Sequence, residues 1–97
     1  MNREIKFRAW NDRVMIFFSL YNPLDFPTSP WKDWRVMQYT GLKDKNGKEI
    51  YEGDIVYLAG YGDYEVEFPF IELYEAGVEK DIGEIKGNIY ENPELLK

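Results

Sequence analysis

The sequence predicts a mainly β domain, a small barrel or sandwich of short antiparallel strands. Several segments alternate apolar and polar residues with the period of a half-buried strand. Turn signals at Asn46–Gly47 and Gly53–Asp54 separate these segments at close spacing. Aromatic residues make up 18% of the chain and suit the core of a small β domain. At 97 residues we expect one domain, residues 1–97, with α+β as the alternative class.

An N-terminal hairpin is predicted from the first 18 residues. Ile5, Phe7 and Ala9 alternate with Lys6 and Arg8, which indicates a strand with one buried face. Asn11–Asp12 then supplies a turn. The apolar run at residues 14–18 predicts a returning strand that is more fully buried.

A proline-rich segment follows at residues 21–33. Its prolines remove backbone donors and disfavour a helix, so we expect a loop. Leu24, Phe26 and Trp31 are nevertheless too apolar for a free linker. They either pack on the core as a lid or form an exposed patch for a protein partner. The lid is the favoured alternative.

The middle of the chain contains the strongest turn signal. Residues 34–39 predict a strand that ends in a bend at Thr40–Gly41. The charged segment 43–49 predicts an exposed turn centred on Asn46–Gly47, because an Asn-Gly pair tolerates the positive φ that a tight reversal needs.

A second reversal is predicted at Gly53–Asp54. The run at residues 55–58 is apolar at every position, as expected of a central strand. Tyr64, Val66 and Phe68 alternate with glutamates, which predicts a strand with an acidic outer face.

The last third of the chain is less clear. Residues 70–75 fit a short helical turn or a strand about equally. Alternation at residues 84–89 predicts a last strand. Asn92 followed by Pro93 and Glu94 predicts a single helical turn, with Asn92 as its capping residue.

Composition excludes several classes of function. The chain has no cysteine and no histidine, so it has no disulfide, no thiolate metal site and no histidine general base. We therefore expect no enzymatic activity and no cofactor. The first residues lack the apolar stretch of a secretory signal, and the longest near-apolar run, residues 14–21, is too short to cross a bilayer. We expect a cytoplasmic protein.

Acidic residues offer no clear catalytic or metal site. An alignment of Gly47 with the glycine of a calcium loop places Leu42 and Gly53 at ligand positions, where neither can coordinate calcium. Glu49, Glu52 and Asp54 could gather a hard cation, but Gly53 breaks the strand geometry between them. We expect no metal site.

Charge is distributed unevenly along the chain. Residues 1–48 carry a balance of +4 and residues 49–97 a balance of −10, within a net charge of −6. The favoured explanation is that early basic strands pair with late acidic ones such as Glu65, Glu67 or Glu84. The alternative is a nucleic-acid-binding face on the first strand, which would consist of Lys6, Arg8, Trp10 and Arg13.

Three blocks of the sequence resemble the YopX family, small proteins encoded by bacteriophages and prophages. They are residues 3–10 (REIKFRAW), residues 37–56 with their turn residues, and residues 87–93 (GNIYENP). The resemblance implies a mainly β domain of the SH3-like barrel type in the bacterial cytoplasm. It implies no activity and no binding residue, because the shared positions are structural. The turn residues among them are Gly41, Asn46, Gly47, Gly53 and Asp54.

Two functions are compatible with these observations, and a carboxylate-dependent enzyme is a distant third. The first is a non-enzymatic interaction module that self-associates or binds a protein partner, as the aromatic surplus and the apolar proline-rich segment suggest. The second is a nucleic-acid-binding accessory protein that uses the basic face of the first strand.

Overall fold

The computed structural model describes residues 5–19 and 34–96, and the fold is given for these residues. Within them the chain forms seven strands, an α-helix and a final 3₁₀ turn. In chain order these are β1 (Lys6–Trp10), β2 (Met15–Ser19), β3 (Arg35–Lys43), β4 (Glu49–Tyr51), β5 (Asp54–Leu58), β6 (Gly62–Glu65), α1 (Ile71–Val78), β7 (Ile82–Asn88) and the 3₁₀ turn Pro93–Leu96.

The strands form two antiparallel sheets, which confirms the prediction of a mainly β fold. The first sheet has the order β2-β1-β3-β4 and the second the order β6-β5-β7. Among the described strands no hydrogen-bonded pair joins one sheet to the other, so these strands do not close a barrel. The SH3-like barrel is therefore not confirmed.

The N-terminal hairpin forms as predicted. Phe7 lies opposite Phe18 in the antiparallel register of β1 and β2. The side-chain oxygen of Asn11 accepts the backbone N–H groups of Arg13 and Val14 and so fixes the turn. The prediction that the returning strand is the more fully buried one is wrong. β2 is the outer strand of its sheet, and Phe17 is largely exposed.

The third strand runs further than predicted. It was expected to end in a bend at Thr40–Gly41, but β3 continues to Lys43. Its register against β4 shifts between Tyr39 and Lys43, and Gly41 has a φ of 89°. A glycine at positive φ accommodates an irregularity inside a strand, so the predicted bend is a distortion within β3 and not its end.

Both predicted reversals are present. The N–H of Gly47 donates to the carbonyl of Asp44 at 3.0 Å, and Gly47 has a φ of 82°. Asn46, by contrast, does not take positive φ, so glycine alone supplies that conformation in the Asn-Gly pair. Gly53 has a φ of 88° and turns the chain from β4 into β5.

The main core is formed by the second sheet, α1 and Ile50 of β4 in the first sheet. Ile50, Val56, Val66 and Leu73 have no solvent exposure and belong to this cluster. Residues 70–75, for which the sequence allows a helical turn or a strand, lie mostly in α1, and Leu73 is the buried residue of this helix. The hydroxyl of Tyr74 donates to the carbonyl of Thr40 at 2.6 Å, which attaches α1 to the first sheet.

The C-terminal segment follows the prediction in outline. β5 is the central strand of its sheet, and β7 begins at Ile82, two residues before the predicted start. The turn at Pro93–Leu96 is present. The capping role predicted for Asn92 is wrong, because its side-chain oxygen accepts the N–H of Asn88 and only its backbone carbonyl accepts from Leu95.

Candidate functional site

Of the four residues predicted to form a nucleic-acid face, Arg8 is buried. Arg8 is 6% exposed, and its Nη2 lies 2.7 Å from Oδ1 of Asp54. The same nitrogen donates to the carbonyl of Glu52, and the guanidinium lies 5.0 Å from the centre of the Tyr51 ring. A cation held by a carboxylate, a carbonyl and an aromatic ring inside the protein does not contact phosphate.

The other members of that face are separated by their contacts. Lys6 forms an ion pair with Glu49 and lies over the ring of Tyr39. Trp10 is half-buried, and Arg13 is exposed at the hairpin turn. The structure therefore brings no continuous cationic and aromatic surface together from these four residues.

Basic and acidic halves of the chain do pair, as the favoured explanation of the charge asymmetry predicts. The partners differ from those expected. Lys6 and Arg8 pair with Glu49 and Asp54 and not with the glutamates of β6 or β7. The reason is topological, since β1 lies beside β3, which in turn pairs with β4, and the Gly53 turn follows directly.

Asp54 has a structural role beyond its turn. It is 2% exposed, and its Oδ2 accepts the N–H of Tyr51 at 2.8 Å while Oδ1 contacts Arg8. Burial raises the pKa of Asp54 above its ordinary value, although the Arg8 charge and the Tyr51 N–H act in the opposite direction. Asp54 and Arg8 together join β5 of the second sheet to β1 of the first.

Sequence reasoning missed the role of Asp44, which lies in a segment predicted to be exposed. Asp44 is buried, and its Oδ1 accepts the N–H groups of Asn46 and Lys48. Its Oδ2 accepts the N–H of Ile85 at 3.0 Å, which attaches the turn to β7. Burial acts to raise the pKa of Asp44, but these N–H donors outweigh burial and hold the pKa below its ordinary value.

The acids considered for a metal site have protein partners. Glu49 contacts Lys6, Asp54 contacts Arg8, and Glu52 accepts the backbone N–H of Gln38. In residues 5–19 and 34–96 no three acidic side chains are placed to share a metal ion. The predicted partner patch of Leu24, Phe26 and Trp31 lies outside the described residues and stays a prediction.

A cleft of about 450 Å³ lies between β6, the loop after it and the start of α1. We call it the acidic cleft, and it is bounded by residues 61–72. Three large apolar side chains at this cleft face solvent: Tyr61 is 66% exposed, Phe68 69% and Ile71 56%. Three such side chains in one concave surface of a small domain are typical of a docking site.

Carboxylates surround these apolar side chains. The hydroxyl of Tyr64 donates to Glu72 at 3.1 Å, which fixes one wall of the cleft. Burial, together with this contact to Glu72, raises the pKa of Tyr64 to about 12. Asp63 at the rim has a weak ion pair with Lys86 at 3.5 Å. The carboxylates that line the cleft are Asp63, Glu65, Glu67 and Glu72.

Glu65 and Glu67 crowd each other in this cleft. Burial, and then the neighbouring Glu67 carboxylate, raises the pKa of Glu65. A carboxylate whose ionisation is disfavoured by burial and by a neighbouring carboxylate is stabilised in its charged form by a nearby cation. The acidic cleft therefore combines exposed aromatic surface with four carboxylates, of which Asp63 alone has an ion pair among the described residues, and it can accept a basic group that also has apolar surface.

Sequence reasoning found the acidic character of this region but not the cleft. Phe68 was placed on the inner face of a strand reaching residue 68. β6 ends at Glu65, and the chain then turns at residues 68–69. The alternation of inner and outer side chains along the strand therefore no longer applies at Phe68. The Phe68 ring contacts the Phe70 ring edge-on and is exposed to solvent. Pro69 ends this strand in the sequence-based prediction, but it lies four residues after the observed end of β6.

A second cleft of about 350 Å³ lies between the two sheets, beside Arg8 and Asp54. Several of its polar side chains already bind one another, although Lys48, which also lines it, has no ion pair among the described residues. Arg8 pairs with Asp54, and Asn88 bonds to Glu91 and to the N–H of Tyr90. The acidic cleft is the better candidate, because its carboxylates crowd each other and its apolar side chains are exposed.

Comparison with known proteins gives a family and a fold relative. A family model described as YopX protein matches residues 20–97. The crystal structure of protein EF1440 from Enterococcus faecalis is similar, with a TM-score of 0.56 at 25% sequence identity, over 99% of this chain and 100% of that chain. None of the curated proteins matches the chain. In the described residues no helix has the length and apolar character needed to cross a membrane. The match over residues 20–97 shows that this chain belongs to the YopX family.

Proposed function

We propose that this chain is a non-enzymatic interaction module that docks a protein segment in the acidic cleft. The observation that carries the proposal is the exposure of Tyr61, Phe68 and Ile71 in one concave surface lined by carboxylates. The segment it accepts has basic side chains with apolar stems or neighbours. Its cations contact the carboxylates, and its apolar atoms cover the exposed rings.

Two aromatic contacts favour a preformed site. Tyr61 packs edge-on against Tyr64 at 5.5 Å, and Phe68 packs edge-on against Phe70 at 5.6 Å. Tyr64 and Phe70 are buried, so each exposed ring has a buried ring behind it. A surface held in this way loses little conformational entropy on binding, which favours affinity.

Nucleic-acid binding through the first strand is not supported, because Arg8 is engaged by Asp54. We also propose, from the family resemblance, that the protein has an accessory role in a phage or prophage and is located in the bacterial cytoplasm. The SH3-like barrel type is likewise kept only as an inference from the resemblance.

A peptide titration tests the docking role. A synthetic peptide of alternating lysine and leucine is titrated into ¹⁵N-labelled protein, and a peptide of alternating glutamate and leucine is the control. We expect shifts of the backbone amide signals at residues 61–72 with the lysine peptide alone, and their loss in a Phe68→Ser variant. Val78→Ser, which changes another exposed apolar side chain outside this cleft, is expected to retain the shifts. Shifts that are spread over the whole surface, or absent, contradict the proposal.

A further inference from the structure

Three exposed lysines lie on the turn between β3 and β4. We call residues 43–48 the lysine turn, and its cations are Lys43, Lys45 and Lys48. None of the three is within ion-pair distance of a carboxylate in the described part of the chain. Asp44, the acid of this segment, is buried and accepts backbone N–H groups. Lys43 and Lys45 therefore present positive charge outward, and Lys48 is exposed at the edge of the second cleft, which it lines.

The lysine turn is held rigidly by backbone hydrogen bonds. The N–H of Gly47 donates to Asp44 within the turn, at 3.0 Å. The N–H of Lys45 donates to the carbonyl of Gly83 on β7 at 2.9 Å. With the Asp44 carboxylate bonded to Ile85 as well, the backbone under the lysines is fixed on both sides. Such a preorganised turn loses little entropy when it binds.

The lysine turn and the acidic cleft lie at opposite edges of the second sheet. The turn bonds to β7, and β6 forms one side of the cleft, while β5 lies between these strands. Neighbouring strands are about 4.8 Å apart, so roughly 10 Å of sheet separates β6 from β7. Since the sheet separates the two surfaces, a lysine turn meets an acidic cleft most directly when the cleft belongs to another copy.

We infer that the lysine turn of one copy docks in the acidic cleft of a second copy. This inference rests on the proposed function and names the partner of that site. The contact joins two different surfaces, so it is head-to-tail and leaves one cleft and one turn unused in every dimer. Such an interface builds either a closed ring or an open chain.

The chain already uses the required contact twice. Lys6 lies 4.7 Å from the centre of the Tyr39 ring and pairs with Glu49. Lys86 lies 5.6 Å from the centre of the Tyr57 ring and pairs with Asp63. A lysine between a ring and a carboxylate gains both the cation–π attraction and the ion pair.

The acidic cleft offers the same two partners to a lysine from outside. The rings of Tyr61 and Phe68 are exposed, and Glu65 and Glu67 lie beside them. An incoming ammonium group also places positive charge beside Glu65, whose pKa is raised by burial and by the neighbouring Glu67, and this favours a cation over a neutral group.

Complementation between two variants of the full chain tests the inference. The cleft variant carries Glu67→Lys and Phe68→Ser, and the turn variant carries Lys45→Glu and Lys48→Glu. Each keeps one of the two surfaces intact. The mass of each sample is measured by multi-angle light scattering at low salt over a range of protein concentrations. Thermal unfolding followed by circular dichroism establishes that both variants are folded.

We expect the wild-type chain to form species larger than its 11.6 kDa monomer as concentration rises, and high salt to reverse this. Each variant alone is expected to associate at least about tenfold more weakly. Their mixture has one intact pair of surfaces, so it is expected to form a 1:1 heterodimer and nothing larger. A wild-type chain that stays monomeric, or a mixture that stays monomeric, overturns the inference.

A matched control separates this contact from general charge effects. Arg13→Glu with Arg35→Glu makes the same change in net charge on exposed cations outside the lysine turn. This variant is expected to associate like the wild type, and a loss of association overturns the inference. If the lysine–leucine peptide binds the cleft while the wild-type chain is monomeric, the docking role stands and self-association fails. If neither binding nor association occurs, both fail.

Discussion

The guanidinium of Arg8 on β1 contacts the carboxylate of Asp54 on β5, with 2.7 Å between Nη2 and Oδ1. Both residues are buried, and they belong to different sheets. Among the described strands no backbone ladder joins those sheets, so the connection rests on this ion pair, on the core, and on the hydrogen bonds that join the lysine turn to β7. Arg8, which the sequence suggests as a nucleic-acid contact, is therefore part of a link between the two sheets.

Removal of Arg8 is expected to destabilise the fold strongly. Arg8→Met leaves Asp54 buried without its cation, and loss of one partner of a buried pair costs about 3–5 kcal/mol. The measurement is the free energy of unfolding in urea. The Arg8→Met/Asp54→Asn double variant is expected to lose less than the sum of the two single variants. Additive losses would show that the pair does not act as a unit.

Lys6→Met is the matched control for that prediction. Lys6 also pairs with a carboxylate and lies over a tyrosine, but its side chain is partly exposed. We expect a loss of about 1 kcal/mol or less in the free energy of unfolding. A loss equal to that of Arg8→Met would contradict the distinction between a buried and a solvated pair.

Asp44→Asn is expected to lower the free energy of unfolding at neutral pH. It is also expected to make that free energy depend less on pH in the acid range. The pKa of Asp44 is lowered from its ordinary 3.8, so its stabilising effect is present above that pH and is lost as pH falls through the lowered pKa. The amide cannot replace both acceptor oxygens, and we expect a loss of about 1–3 kcal/mol at pH 7. Urea unfolding at several pH values measures both effects. Glu79→Gln, an exposed acid, is the control.

Gly53 and Gly47 are expected to differ as sites for alanine. Both have positive φ, which costs a non-glycine residue about 1–2 kcal/mol. At Gly47 an added Cβ meets no atom within 4 Å, whereas at Gly53 it lies 3.1 Å from the Met37 sulfur. Gly53→Ala is therefore expected to lower the thermal midpoint more than Gly47→Ala. Equal shifts would show that packing at Gly53 is unimportant.

Glu65→Gln is expected to stabilise the folded protein at neutral pH. The pKa of Glu65 is raised above its ordinary 4.5, so ionisation costs stability as pH rises through the raised pKa, and no cost exists at pH 3. Because the side chain is partly exposed, we expect a gain of about a few tenths of a kcal/mol at pH 7. Thermal unfolding at the two pH values measures the gain. Glu84→Gln on β7 is the control, and an equal gain there would point to net charge alone.

The sequence predicted the hairpin of β1 and β2 and both glycine reversals, because these depend on local alternation and on the φ of single residues. It could not predict that Arg8 is buried. Alternation placed Arg8 on the polar face of β1, and only the folded arrangement shows that β5 brings an acid to that face.

The acidic cleft could not be predicted for a similar reason, because it depends on where β6 ends and where α1 begins. The glutamates at positions 65 and 67 predict an acidic face, but alternation places Phe68 on the inner face of that strand and assigns no exposed surface to Tyr61 or Ile71. Phe68 became exposed because β6 ends early, and Ile71 because α1 begins there with its core contact at Leu73. Element boundaries decide such exposures, and alternation alone does not locate boundaries.

Isotope-coded cross-linking tests the central claim most directly. Protein labelled with ¹⁵N is mixed with unlabelled protein, treated with a carbodiimide that joins lysine amines to carboxylates, and digested for mass spectrometry. The account predicts heavy-to-light cross-links from Lys45 or Lys48 to Glu65 or Glu67. If lysine-turn cross-links to these acids are absent, or join only heavy to heavy and light to light, the docking of one copy in the acidic cleft of another is contradicted.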